Sequence, residues 1–168
     1  MFQETTGITK PKGRQLWIPI LAIIAIVLAA GMGGVATSQS IGDGWYTTLR
    51  KSELNPPNAV FGPAWTFLYT LMGMAFVICW NKAPIHANSY KMAFGVQIGL
   101  NLLWSIIFFG MKSPLMGLIV IGMLIAAIVA NMAIFARYSK VSALLLAPYL
   151  LWVCFATYLN AQIVLLNR

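Results

Sequence analysis

The chain has 168 residues, of which 60% are hydrophobic and 8% are charged, with a mean hydropathy of +0.82. Soluble domains carry roughly 25% charged residues, so this composition excludes a soluble globular domain and indicates an integral membrane protein. The net charge of +8 would suggest nucleic-acid binding in a soluble chain, but here the basic residues lie between hydrophobic runs, where they set topology, and we expect no nucleic-acid partner.

Residues 1–15 form a basic N-terminal tail, and five hydrophobic runs follow it. Each run is long enough to cross the bilayer core, which takes about 20 residues. They predict spans at about 17–37, 59–80, 92–111, 115–136 and 141–166, in a single all-α five-helix domain over 16–168, with a long loop at 38–58. A cleaved signal peptide is the alternative for the first run, but the apolar core of such a peptide is typically about 7 to 15 residues, which favours a span.

Alternating spans distribute the basic residues unevenly between the two sides of the membrane. The N-terminal side has Lys10, Lys12, Arg14, Lys82, Lys91, Arg137 and Lys140, and the other side has Arg50, Lys51, Lys112 and Arg168. Because cytoplasmic loops are enriched in Lys and Arg, we expect a cytoplasmic N-terminus in a bacterial cell membrane, with loop 38–58 outside.

No Asp, Glu, Lys, Arg or His lies deep in a predicted span. Proton relays and ion-coupled transporters usually keep such residues in the membrane, so this class of mechanism is disfavoured. His86 stands alone in a short loop and both cysteines lie within spans, so we expect no metal site.

Polarity within the spans is carried by amides and indoles. In the third span, Gln97, Asn101 and Trp104 recur at spacings of four and three, which places them on one helical face. From spacing alone, a hydrogen bond from Asn101 to a neighbouring helix is favoured over contact with a ligand. In the same span Gly95 and Gly99, with Ala93 nearby, form a small-residue face that suits either packing within the bundle or a homodimer.

Aromatic residues mark one face of the second span and one of the fifth. Trp65 and Tyr69 share a face of the second span, and Trp152 and Ala156 share a face of the fifth. Aromatic residues near span ends usually anchor a helix at the membrane interface, and Trp65 fits that role. Trp152 lies well inside its span, where an indole needs a partner for its N–H or a flat ligand on which to stack.

Three stretches resemble the translocator protein family, also called tryptophan-rich sensory proteins or TspO/MBR proteins. They are WYTTLRKSELNPPNAVFGPAWTFLYTLMG at 45–73, LNLLWSIIFFG at 100–110 and LLLAPYLLWVCFATYLNAQIVLLN at 144–167. The resemblance implies a five-helix bundle that encloses a ligand pocket under a lid formed by the loop between the first two spans. The adjacent prolines Pro56 and Pro57 would hold that lid in an extended conformation.

The resemblance also implies which residues bind ligand and what the ligands are. The implied ligand contacts are Tyr46, Pro57, Trp65, Tyr69, Asn101, Trp104, Trp152 and Ala156. The implied ligands are porphyrins such as protoporphyrin IX and haem, with sterols and benzodiazepine-type drugs as further ligand classes and no required cofactor. Some relatives degrade porphyrin in light, which makes Trp65 and Trp152 candidate catalytic residues, although we interpret the chain as a binding protein first. Bacterial relatives dimerise through the third helix, which implies a homodimer contact at Ala93, Gly95 and Gly99.

Two of the departures from the family pattern bear on the lining of the bundle and on sterol binding. Gly122 stands where many relatives carry an acidic residue, so we expect this wall of the bundle to be wholly apolar. No basic residue follows Tyr158 within the cholesterol motif, so we do not expect sterol binding by that route. The resulting hypothesis is a porphyrin-binding receptor or translocator, and the alternatives are a uniporter of another apolar solute and a ligand-free assembly factor.

Overall fold

The computed structural model describes residues 16–84 and 86–168, so Lys10, Lys12 and Arg14 lie outside the described residues. Within these ranges the chain forms helices α1 (Trp17–Gly42), α2 (Trp45–Thr48), α3 (Asn58–Lys82), α4 (Ser89–Ser105), α5 (Pro114–Ala136), α6 (Lys140–Leu144) and α7 (Ala147–Leu166). A π-helical turn, Ile106–Gly110, continues α4.

In the part of the chain that the structure describes, five helical segments are long and apolar enough to cross a membrane. They are Trp17–Gly42, Asn58–Lys82, Ser89–Gly110, Pro114–Ala136 and Lys140–Leu166. This confirms the predicted all-α five-helix membrane protein. With alternating spans, the connection 43–57, the turn 111–113 and the end of α7 lie on the same side of the membrane.

The first span is longer than predicted. Helix α1 continues through Gly42, so the connection to α3 covers 43–57, whereas the sequence predicted a loop over 38–58. The extra turn is polar, and hydropathy therefore places the end of the helix too early. The Ser40 hydroxyl donates to the Thr37 carbonyl at 3.0 Å, which satisfies it within the helix. We call residues 43–57 the lid; they include α2.

The fifth span was predicted as one helix over 141–166, but the structure divides it into α6 and α7. The division falls at Leu145 and Leu146, just before Pro148. Proline has no N–H to donate to the carbonyl of Leu144 four residues earlier, and its ring would clash with that carbonyl. The chain therefore restarts a helix with Pro148 in the first turn, where the missing N–H costs nothing.

The helix contacts arrange the five spans as a ring. Helix α1 packs against α3 and α4, α4 against α5, α5 against α7, and α3 against α6 and α7. Helices α3 and α4 therefore face each other across the interior. Helix α1 buries Ala22, Ile26, Ala29 and Gly33, as expected for a span that belongs to the bundle. A Cβ at Gly33 would lie 3.0 Å from Ser105 Oγ and 3.3 Å from Ser105 Cβ, so glycine suits this close approach of α1 to α4.

Candidate ligand-binding site

The interior between α3 and α4 is filled by aromatic rings. The ring centroid of Trp65 lies 5.4 Å from that of Tyr69, 6.4 Å from that of Trp104 and 6.3 Å from that of Tyr149. Trp65 and Tyr69 are one helical turn apart on α3, so both reach the same region. The structure thus joins the predicted aromatic residues of the second span to Trp104 of the third.

Asn101 lies below these rings and cross-links three helices. The Tyr69 hydroxyl donates to Asn101 Oδ1 at 2.7 Å, and Asn101 Nδ2 donates to the Tyr149 hydroxyl at 3.0 Å. Asn101 is 1% exposed and Tyr149 is 0% exposed. The interhelical hydrogen bond favoured by the spacing is therefore present. Tyr149 was not predicted, although a tyrosine within an apolar span needs a polar partner and could have signalled it.

A second buried amide pair connects α4 to α5. Asn131 Nδ2 donates to Gln97 Oε1 at 2.8 Å, and Gln97 Nε2 donates to Met72 Sδ at 3.3 Å. The expectation of a wholly apolar wall on α5 is therefore wrong, because Asn131 is fully buried there. It lies more than two turns beyond Gly122, the position on which that expectation was based.

The lid contributes Tyr46 to the same aromatic group. Tyr46 is buried, and its ring centroid lies 6.4 Å from that of Phe108 and 5.6 Å from that of Phe109. Phe108 is in turn 5.5 Å from Trp104. Burial raises the pKa of Tyr46 above its ordinary value of 10.0, so its hydroxyl stays protonated and donates to Asn55 Oδ1 at 3.2 Å.

The π-helical turn and α7 hold Trp104 in place. Trp104 Nε1 donates to Asn160 Oδ1 at 3.3 Å, and Asn160 Nδ2 donates to the Pro114 carbonyl at 2.8 Å. Phe108 and Phe109 are buried and lie in the π-helical turn. π-helical turns are often found at functional sites. Asn160 was missed by the sequence analysis, although it lies one turn beyond Ala156 on the face predicted to contact ligand.

The other predicted ligand residues take no part in the ring contacts given above for the described chain. Trp152 is half-buried, with its ring centroid 6.1 Å from that of Phe61 and 6.0 Å from that of Phe155. Ala156 is buried, one turn further along α7. Pro57 is exposed, in an extended conformation immediately before α3.

A groove of about 600 Å³ lies beside the aromatic group, between α1 and α3, and opens toward the lipid. Its walls are formed by Ile23, Ile26, Val27, Ala30, Thr66, Tyr69, Thr70, Gly73, Met74, Val77 and Ile78. Tyr69 is shared by the groove and the interior, so its ring forms the partition between them.

The small-residue face of α4 lies apart from the interior. Gly95 and Gly99 are exposed and Ala93 is half-buried, whereas Gln97 and Asn101 are buried. A Cβ at either glycine would meet no heavy atom of the described chain within 4 Å. This face is therefore open to a partner without disturbing the aromatic group.

These features define a five-helix integral membrane protein whose interior is lined by aromatic rings and amides beneath a packed lid. Residues 21–166 match the sequence model of the TspO/MBR family, and the chain belongs to that family. It is 44% identical over 151 residues to tryptophan-rich protein TspO of Archaeoglobus fulgidus, covering 89% of this chain and 97% of the relative. It is 34% identical over 145 residues to the tryptophan-rich sensory protein of Cereibacter sphaeroides (84% and 90%) and 31% identical over 150 residues to the human translocator protein (86% and 87%).

Proposed function

We propose that this chain is a membrane receptor or translocator that binds flat apolar ligands, namely porphyrins such as protoporphyrin IX and haem, in the interior of the bundle. The observation that carries the proposal is the unbroken series of ring contacts from Tyr46 in the lid through Phe108 and Trp104 to Trp65. Stacking on such rings suits a flat π system, and relatives named for translocation and sensing support the role.

The spacing of the two central indoles supports a flat ligand. The ring centroids of Trp65 and Trp104 lie 6.4 Å apart, with 35° between the planes. A flat molecule stacked between them needs about 7 Å, which is two carbon–carbon contact distances of about 3.5 Å. A small separation and rotation of the two rings would therefore admit such a ligand, and Asn101 lies one helical turn before Trp104 and is bonded to Tyr69.

We further propose that the protein forms a homodimer through Ala93, Gly95 and Gly99. We also propose that it lies in a bacterial cell membrane with its N-terminus in the cytoplasm. The described chain has four basic residues on each side of the membrane. They are Lys82, Lys91, Arg137 and Lys140 on one side, and Arg50, Lys51, Lys112 and Arg168 on the other. The positive excess that supports this orientation is therefore supplied by Lys10, Lys12 and Arg14.

Titration of the protein in nanodiscs with protoporphyrin IX, followed by tryptophan fluorescence, tests the proposal. We expect saturable quenching, and Trp65→Phe should weaken affinity roughly two- to tenfold, since an aromatic pair is worth about 0.5 to 1.5 kcal/mol. The matched control is Trp17→Phe. Trp17 is 54% exposed at the far end of α1, so this variant should bind ligand with wild-type affinity.

The outcome also separates the alternatives. Absence of saturable quenching at micromolar porphyrin would remove the proposal and leave the uniporter of another solute and the assembly factor. Equal weakening by Trp65→Phe and Trp17→Phe would show that quenching reports porphyrin dissolved in the bilayer.

A further inference from the structure

Among the described residues, three polar contacts between parts of the chain distant in sequence fasten the lid to the bundle. At its start, Asp43 Oδ2 lies 2.6 Å from Lys112 Nζ. In its middle, Arg50 is bonded through its backbone to the side chain of Asn167, just beyond α7. Farther along, Ser52 Oγ lies 3.1 Å from the Tyr158 hydroxyl. Two of these three contacts are made with the last helix, far away in sequence.

The contact at Asn167 matches both backbone groups of one lid residue. The Arg50 N–H donates to Asn167 Oδ1 at 2.9 Å, and Asn167 Nδ2 donates to the Arg50 carbonyl at 2.9 Å. Asn167 Nδ2 also donates to the Ile163 carbonyl at 2.8 Å, which fixes the side chain on the end of α7. Only a carboxamide supplies an acceptor and a donor at this spacing; a carboxylate lacks the donor.

Arg50 lies in the lid, four residues after Tyr46. It follows α2, which carries Tyr46 onto Phe108 and Phe109, and it precedes the extended Pro56 and Pro57. While the Arg50 backbone stays bonded to Asn167, the chain four residues after Tyr46 is fixed to the end of α7. Of the three contacts, this is the one that holds the lid by its backbone, so its loss loosens the segment between α2 and Pro56.

The ion pair at the start of the lid joins two side chains, whereas the Asn167 contact, which is also exposed, makes two hydrogen bonds to the backbone of Arg50. The side chains of Asp43 and Lys112 are each 44% exposed, and exposed ion pairs contribute little because water and salt screen them. The pair also lies next to the end of α1, where the chain is already held by the helix.

We infer that Asn167 is a positioning residue that latches the lid, and that breaking its two hydrogen bonds with Arg50 limits the rate at which ligand enters and leaves the interior. The kinetic part of this inference rests on the proposed function. The structural part concerns the lid alone and has a readout that needs no ligand.

The experiment compares Asn167→Ala, Asn167→Asp and Asp43→Asn in the full chain in nanodiscs. Asp43→Asn is the matched control, because it removes the charge but keeps the oxygen that accepts from the Trp45 N–H. Stopped-flow dissociation of protoporphyrin IX should be roughly tenfold faster in Asn167→Ala, as expected from the loss of two hydrogen bonds, and within twofold of wild type in Asp43→Asn. Unchanged dissociation in Asn167→Ala, with wild-type binding intact, would overturn the inference.

Hydrogen exchange of ligand-free protein tests the latch separately. The Arg50 amide should exchange roughly tenfold faster in Asn167→Ala. In Asn167→Asp that amide keeps its acceptor, so it should stay more protected than in Asn167→Ala, while the loss of the donor still speeds porphyrin release. Faster exchange without porphyrin binding by wild type would uphold the latch and remove the proposed function. Equal protection of Arg50 in all variants would remove the latch, whatever the ligand.

Discussion

Replacing Asn101 by leucine removes the amide that joins α3, α4 and α7. Leucine is close to asparagine in size and is tolerated in lipid, so the change deletes polar contacts without adding bulk. It breaks the hydrogen bond from Tyr69 at 2.7 Å and the one to Tyr149 at 3.0 Å. We expect lower stability, a folded bundle and weaker porphyrin binding.

The expected loss of stability follows from these two bonds. Interhelical hydrogen bonds in membranes average about 0.6 kcal/mol each, which gives about 1.2 kcal/mol as the lower figure. Tyr149 is fully buried, and an orphaned buried hydroxyl costs about 1 to 3 kcal/mol, which sets the upper figure near 3 kcal/mol. The variant should still fold, because protein stability is typically about 5 to 15 kcal/mol.

Unfolding by SDS in mixed micelles measures this difference. The informative comparison is the triple variant Tyr69→Phe, Asn101→Leu, Tyr149→Phe, which removes all three partners together. Replacing every partner by an apolar group can be nearly neutral, so the triple variant should be more stable than Asn101→Leu alone.

Two results would refute this reasoning. A loss below about 0.5 kcal/mol in Asn101→Leu would mean that the bonds are compensated by rearranged neighbours, since even an average pair of membrane hydrogen bonds exceeds it. A triple variant less stable than the single one would mean that the tyrosine hydroxyls have other partners that matter more.

Three further predictions use other parts of the molecule. Trp152→Phe should slow light-dependent loss of porphyrin absorbance less than Trp65→Phe, because Trp152 contacts the rings of Phe61 and Phe155, whereas Trp65 contacts the interior rings of Tyr69, Trp104 and Tyr149; an equal or larger effect would contradict this placement. Gly95→Leu with Gly99→Leu should give monomers in mild detergent, measured by light scattering, that bind porphyrin normally, because both glycines are exposed and a Cβ at either would meet no other helix of the described chain within 4 Å; a dimer that persists would place the contact elsewhere. Two hydrogen bonds hold the pKa of Asp43 below its ordinary value of 3.8: the larger effect comes from the Lys112 ammonium and the smaller one from the Trp45 N–H. The ion pair therefore persists above pH 3.8 and is lost as pH falls through the lowered pKa. The exchange rate of the Trp45 amide should differ between wild type and Asp43→Asn at higher pH and become equal only below pH 3.8. Equal rates already near pH 5 would refute the lowered pKa of Asp43.

The spans and the central aromatic residues could be predicted because each rests on a local pattern. Runs of apolar residues give the spans, and four-residue spacing gives the shared faces of Trp65 with Tyr69 and of Gln97 with Asn101. The break at Leu145 and Leu146 was missed because hydropathy is continuous across it, although Pro148 carried the signal.

The same patterns assign Tyr149, Asn160 and Asn131 to helical faces, but they do not give the partner of each residue. Each is a single polar residue whose importance depends on a partner from another helix. Periodicity assigns a residue to a face of its own helix, but it does not say which side chain of a second helix lies at the same depth. The contacts between the lid and the last helix could not be predicted for the same reason, since Arg50 and Asn167 are 117 residues apart in the sequence.

Helix α7 connects the parts of the site that sequence reasoning treated separately. Tyr149 bonds to Asn101 in the interior, Asn160 holds Trp104, and Asn167 holds the lid at Arg50. The break before Pro148 separates α7 from α6, so α7 can take the orientation that these three contacts require. Each contact uses a neutral amide or hydroxyl, which avoids the cost of a charge in the membrane while still fixing geometry. A chain without charges deep in its described spans can therefore fix the positions of its aromatic interior and of its lid through neutral hydrogen bonds from one helix.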